Sequence, residues 1–125
     1  MATEKRALIV DDEAIICSVC ARILKSEGYI VDTASNGIDG QKMVETTNYN
    51  LCVLDIRTPG INGIDLYKYI IQKQPPLKNH ILFISGDTMS SYVAKFLENN
   101  TEKFLTKPFT PEEFREAVKH ITQQG

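Results

Sequence analysis

The sequence predicts a doubly wound α/β domain, a five-stranded parallel sheet covered by helices on both faces. Three observations predict it. Short apolar runs alternate with stretches of helical apolar spacing five times along the 125 residues. Right-handed crossovers between successive strands leave few other topologies for such an alternation. The apolar runs also end on polar residues, as expected where the carboxyl ends of parallel strands meet at a ligand-binding rim.

The stretch Leu51-Cys52-Val53-Leu54-Asp55 is the clearest element, four apolar residues and then a carboxylate. It reads as a strand buried on both faces whose last residue emerges into a polar crevice. Residues Lys5 to Val10 form the first strand, followed by Asp11-Asp12-Glu13. From Ala14 the positions Ile15, Ile16, Val19, Cys20, Ile23 and Leu24 recur with helical spacing, with acids expected in the first turn and Gly28 as the stop. Tyr29 to Ala34 is a more polar second strand, suited to a sheet edge. Asn36 to about Thr47 forms the second helix, with Met43 and Val44 inward.

After Asp55, the loop Ile56 to Gly63 holds Pro59, Gly60 and Gly63, so the chain turns sharply. Gly63 to Gln74 is the third helix, ended by Pro75-Pro76. His80 to Ile84 is the fourth strand, leading into Ser85-Gly86-Asp87. Thr88 to about Asn99 is a fourth helix through Met89, Tyr92, Val93, Phe96 and Leu97. Glu102 to Thr106 is the last strand, with Lys107-Pro108 after it. Thr110 caps the last helix, Pro111 takes its first position, and Phe114, Ala117, Val118 and Ile121 face inward.

Composition narrows the function. A net charge of -2 and scattered Lys and Arg give no basic surface for nucleic acid or anionic lipid. No apolar run exceeds four residues, so neither a signal peptide nor a membrane span is expected, and a cytoplasmic location follows. The length fits one domain over residues 1–125. Cys17, Cys20 and Cys52 read as reduced core thiols; the first two have CxxC spacing, but inside a helix and with no second pair. His80 and His120 are isolated and read as structural or solvent-facing.

The strand ends carry the chemistry. Strand one delivers Asp11 and Asp12, strand three Asp55, strand four Ser85 and strand five Lys107. Carboxylates within about 4 Å of one another repel by roughly 4 kcal/mol at an effective dielectric near 20, so a cation is required. An all-oxygen site with few protein ligands suits Mg2+, and a phosphoryl group could then be attacked by the free oxygen of Asp55.

These residues resemble the receiver domains of two-component response regulators. The resemblance spans nearly the whole chain and rests on Val10-Asp11-Asp12-Glu13, Leu54-Asp55 with Pro59 and Gly63, Ser85-Gly86, and Lys107-Pro108-Phe109. It implies a flavodoxin-like (βα)5 fold with strand order 2-1-3-4-5. Asp55 would be the phosphoacceptor, with Asp11, Asp12, Asp55 and the backbone carbonyl of Arg57 around Mg2+. Ser85 and Lys107 would contact the phosphoryl group, Phe104 would be the switch aromatic, and the Lys107-Pro108 bond would be cis. The donor would be a sensor histidine kinase or a histidine phosphotransfer protein, and a downstream protein or output domain would read the switched surface. Such a domain is a switch with intrinsic self-phosphotransfer and self-dephosphorylation rather than a turnover enzyme. The chain would be a stand-alone receiver or one excised from a larger regulator or hybrid kinase.

Some positions depart from the common pattern. Arg57 stands two residues beyond Asp55, and Asp87 two beyond Ser85, so both are expected to lean over the site and modulate phosphate lifetime. Thr58 stands where many relatives carry methionine. Three other functions compete: an aspartyl-phosphate phosphatase, a flavin-binding domain, and a receiver that works without phosphorylation. The first needs an acid at position 57. The second needs a Ser/Thr/Gly-rich loop after strand one in place of Asp11 and Asp12.

Overall fold

The computed structural model describes residues 4–86, 94–96, 98 and 103–122. Five parallel strands, β1 (Lys5–Val10), β2 (Tyr29–Ala34), β3 (Leu51–Asp55), β4 (Ile81–Ser85) and β5 (Phe104–Thr106), form one sheet in the order 2-1-3-4-5. Helices α1 (Ala14–Ser26), α2 (Gly37–Thr46), α3 (Gly63–Lys73) and α4 (Pro111–Thr122) flank it, with a 3-10 turn at Pro75–Asn79. Residues 94–96 are helical and fall within the fourth helix expected over 88–99. Met89, Tyr92, Val93, Leu97 and Asp87 lie outside the described residues.

Alternation along the strands fills two cores. Leu8, Val10, Cys52, Leu54, Ile81 and Phe83 face α2 and α3, where they meet Val44, Ile64 and Ile70. Ala7, Ile9, Leu51, Val53, Leu82 and Ile84 face α1 and α4, where they meet Cys20, Leu24, Phe114 and Val118. Every residue of β3 and β4 is buried, which is why both read as continuous apolar runs. Each large aliphatic chain fully removed from water contributes about 1.5–3 kcal/mol. On the α3 side, Tyr67, Phe83 and Phe96 close the layer with edge-on ring contacts at 4.9 to 5.8 Å.

The structure corrects several local expectations. No acid lies in the first turn of α1; the acids precede it, and Glu13 is its N-cap residue. Ile15 and Val19 are exposed, at 77% and 37%, because a helix lying on a sheet buries only one stripe. The fourth strand begins at Ile81, since His80 closes the 3-10 turn, and it includes Ser85. The last strand begins at Phe104. The Lys107-Pro108 peptide is cis, as the resemblance implied.

Candidate functional site

The strand ends are tied into one rim by the backbone. Asp11 donates its N–H to the Ala34 carbonyl at 3.0 Å, Ile56 to the Ile84 carbonyl at 3.0 Å, and Lys107 to the Ser85 carbonyl at 3.0 Å. Asp55, ending β3 between β1 and β4, therefore sits mid-sheet with its side chain 7% exposed. Around it lies a crevice of about 480 Å³ lined by Asp12, Glu13, Asp55, Arg57, Ser85, Gly86 and Lys107. A groove of about 670 Å³ between α1 and β2 is also lined by Asp12, together with Asp11, but by neither Asp55 nor Lys107, so the strand-end acid and lysine meet in the smaller crevice.

Lys107 is the hub. Its ammonium lies 2.9 Å from Asp55 Oδ2 and 2.9 Å from Asp11 Oδ2, and it also donates to Glu13 Oε1. Asp55 Oδ1 accepts the Arg57 N–H at 3.0 Å, and Asp11 Oδ1 accepts the Glu13 N–H at 2.8 Å. Ligand atoms of Asp11, Asp12 and Asp55 lie within 4.8 Å of one another. Ser85 is fully buried, Arg57 is exposed on the rim, and Phe104 is half-buried against the α2–α3 core, away from the residues that line the crevice. Asp87, expected like Arg57 to lean over the site, lies outside the described residues.

The loop after Asp55 is held from two sides. Gly63 packs under the strand end, where a Cβ would stand 2.5 Å from the Asp55 carbonyl oxygen. Gly37, opening α2, donates its N–H to the Pro59 carbonyl at 2.9 Å, and a Cβ on it would reach 1.9 Å from the Ile61 carbonyl oxygen. Thr58 is buried and its hydroxyl donates to the Ile61 carbonyl at 3.0 Å. That bond braces the loop, a role the sequence reading did not assign to Thr58.

A comparison with protein-family models matches residues 7–119 to the response regulator receiver domain. The chain belongs to that family.

The receiver is 34% identical over 121 residues to the alkaline phosphatase synthesis transcriptional regulatory protein PhoP of Bacillus subtilis (strain 168), covering 97% of this chain and 50% of that one. It is 29% identical to the transcriptional regulatory protein CusR of Escherichia coli (strain K12), covering 96% and 52%. The chain thus spans about half the length of these curated relatives. Among solved structures, the CheY-like response regulator receiver domain protein from Methanospirillum hungatei JF-1 superposes with a TM-score of 0.78 at 27% identity, over 98% of this chain and all of that one.

Electrostatics show what the receiver's site can hold. Burial raises the Asp11 carboxyl above its ordinary value, even though the contact to Lys107 and the Glu13 N–H pull it down. Burial alone would lower Lys107, but its close contacts with the carboxylates of Glu13, Asp11 and Asp55 outweigh it and hold the ammonium above its ordinary range. Three carboxylates, those of Asp11, Asp55 and Glu13, share this one ammonium, and Asp12 adds a fourth negative charge to the cluster. Asp11 Oδ2 is buried, and Lys107 Nζ lies near it without a directed hydrogen bond, so an oxygen remains for another cation. That orphaned oxygen and the all-carboxylate donor set fit a hard divalent ion. The thiols nearby are inert, since burial raises Cys17 and pushes Cys20 up to about 12.

Glu13 is the residue that sequence reasoning missed. It was grouped with the acids at a helix start, yet its carboxylate reaches across to Lys107, a pairing over 94 positions that no local pattern signals.

Proposed function

We propose that this receiver accepts a phosphoryl group on Asp55, in a Mg2+-dependent reaction, from a phosphohistidine on a sensor histidine kinase or histidine phosphotransfer protein. The observation that carries this reading is a buried Asp55 oxygen 2.9 Å from Lys107, with Asp11 and Asp12 oxygens within 4.8 Å of its own. An Asp55 oxygen forms the O–P bond as the P–N bond to the donor imidazole breaks. Lys107 and Ser85 take the phosphoryl oxygens. Later attack of water on phosphorus returns inorganic phosphate and the free carboxylate. Mg2+ held by Asp11, Asp12, Asp55 and the Arg57 carbonyl would neutralise charge on the crowded oxygens.

Phosphorylation adds about -1.5 to -2 charges. Ser85 moves toward the new oxygens, and Phe104, half-buried and two residues before the strand end, turns into the space vacated. A downstream protein or output domain reads the altered surface, and Arg57, exposed on the rim, modulates the phosphoryl lifetime, with Asp87 proposed as its counterpart. Among the described residues no helix is long and apolar enough to cross a membrane, and a cytoplasmic setting is part of the proposal.

Incubation with acetyl phosphate and Mg2+, read by intact mass, tests the proposal. Wild type should gain one phosphoryl mass and Asp55→Asn none; a gain retained by the variant, or absent from wild type, removes the reading.

A further inference from the structure

Lys107 has three N–H donors, and in this structure three carboxylates crowd its ammonium: Asp11, Asp55 and Glu13. Directed hydrogen bonds already run from that ammonium to Asp55 and Glu13, so a phosphoryl oxygen arriving from the solvent side binds it best when one carboxylate lets go. The three are not equally free to do so. The side chains of Asp11 and Asp55 are 0% and 7% exposed, fixed by strand ends and by backbone N–H groups, whereas that of Glu13 is 59% exposed. Glu13 can swing into water and rehydrate; the other two cannot. As the N-cap residue of α1 it makes no side-chain capping bond, so release disturbs no helix.

We propose that Glu13 is an internal stand-in for a phosphoryl oxygen: at rest its carboxylate occupies the solvent-side donor of Lys107, and the arriving phosphoryl group displaces it. Glu13 is thus a positioning residue that acts through Lys107, and it sets how readily the receiver exchanges its resting contact for the anion. This rests on the phosphoacceptor reading of Asp55 and adds to it a competitor built into the first βα loop. The geometry explains why an acid that ligates neither the expected metal nor the phosphoryl group nonetheless reaches into the crevice.

Two variants separate displacement from a general field effect. Glu13→Gln removes the charge; Glu13→Asp keeps the charge but is one methylene too short to reach the ammonium. Affinity for beryllofluoride with Mg2+ is measured by calorimetry, and the rate of phosphorylation by acetyl phosphate by intact mass. Both variants should bind beryllofluoride about two- to fivefold more tightly than wild type, the range set by loss of a half-exposed ion pair, and both should phosphorylate faster. If Glu13→Asp behaves as wild type while Glu13→Gln gains, the effect is one of net charge and the stand-in role is overturned. It is overturned equally if neither variant gains. A wild-type chain that neither binds beryllofluoride nor gains a phosphoryl mass would instead overturn the phosphoacceptor reading itself.

Discussion

Two kinds of helix start divide this molecule. α2 and α3 open with matched caps: Asn36 accepts the Asp39 N–H at 2.8 Å and donates to its carboxylate at 3.0 Å, and Asn62 does the same with Asp65 at 2.9 and 3.1 Å. α4 opens with a reciprocal box, Thr110 Oγ1 accepting from the Glu113 N–H and Glu113 accepting from the Thr110 N–H. α1 has none of this. Its N-cap side chain is turned toward Lys107, and three residues on stands Ile16, which cannot return a bond. Where the chain is only scaffold, local rules are obeyed; where it forms the crevice, the same groups serve the site instead.

The largest test of this division is chemical. Asp55→Asn should lose phosphoryl gain completely, while Asn36→Ala should retain it, as read by intact mass after acetyl phosphate treatment. If Asn36→Ala were equally dead, scaffold and site would not be separable. Next in size is the ion. At tenfold excess over its Kd, Mg2+ should stabilise the receiver by about 1.4 kcal/mol in urea unfolding. Asp12→Asn should lose most of that increment, because its carboxylate is one of the three clustered oxygen donors.

Smaller still is the capping contrast. Asn36→Ala should destabilise by about 1 kcal/mol, the ordinary worth of a cap. Glu13→Ala should change stability by less than about 0.5 kcal/mol, since it removes no cap and only an exposed partner of an ion pair. Equal losses in urea unfolding would erase the distinction. The subtlest test is pH. Burial raises the Asp11 carboxyl, so between its ordinary value of 3.8 and its folded value the native state holds the extra proton, and stability falls as pH rises through that window. Asp11→Asn, measured without divalent ions, should therefore gain stability over wild type as pH climbs from below 3.8, then hold that gain at neutral pH.

Much of the fold was legible because β1, β3 and β4 are buried on both faces, and such strands show in sequence as unbroken apolar runs. The bounding polar residues were legible for the same reason, since an apolar run that ends at a polar crevice ends on Asp55 or beside Asp11. Strand limits were less so: Ser85 is fully buried yet polar, so polarity alone placed it outside β4. Ile15 and Val19 obey helical spacing and face solvent, because periodicity gives a stripe's width poorly and its neighbours not at all. The role of Glu13 was invisible, since which of three adjacent acids meet a lysine from the far edge, here Asp11 and Glu13, depends on side-chain reach.

The contact between Gly37 and the carbonyl of Ile61 has a practical side. Residues 56–62 cannot be exchanged as an independent cassette, because the first residue of a helix two strands away leaves them no clearance. A chimera that imports a foreign turn at this place must carry its own residue 37 with it, and swapping experiments on this rim must be designed in pairs.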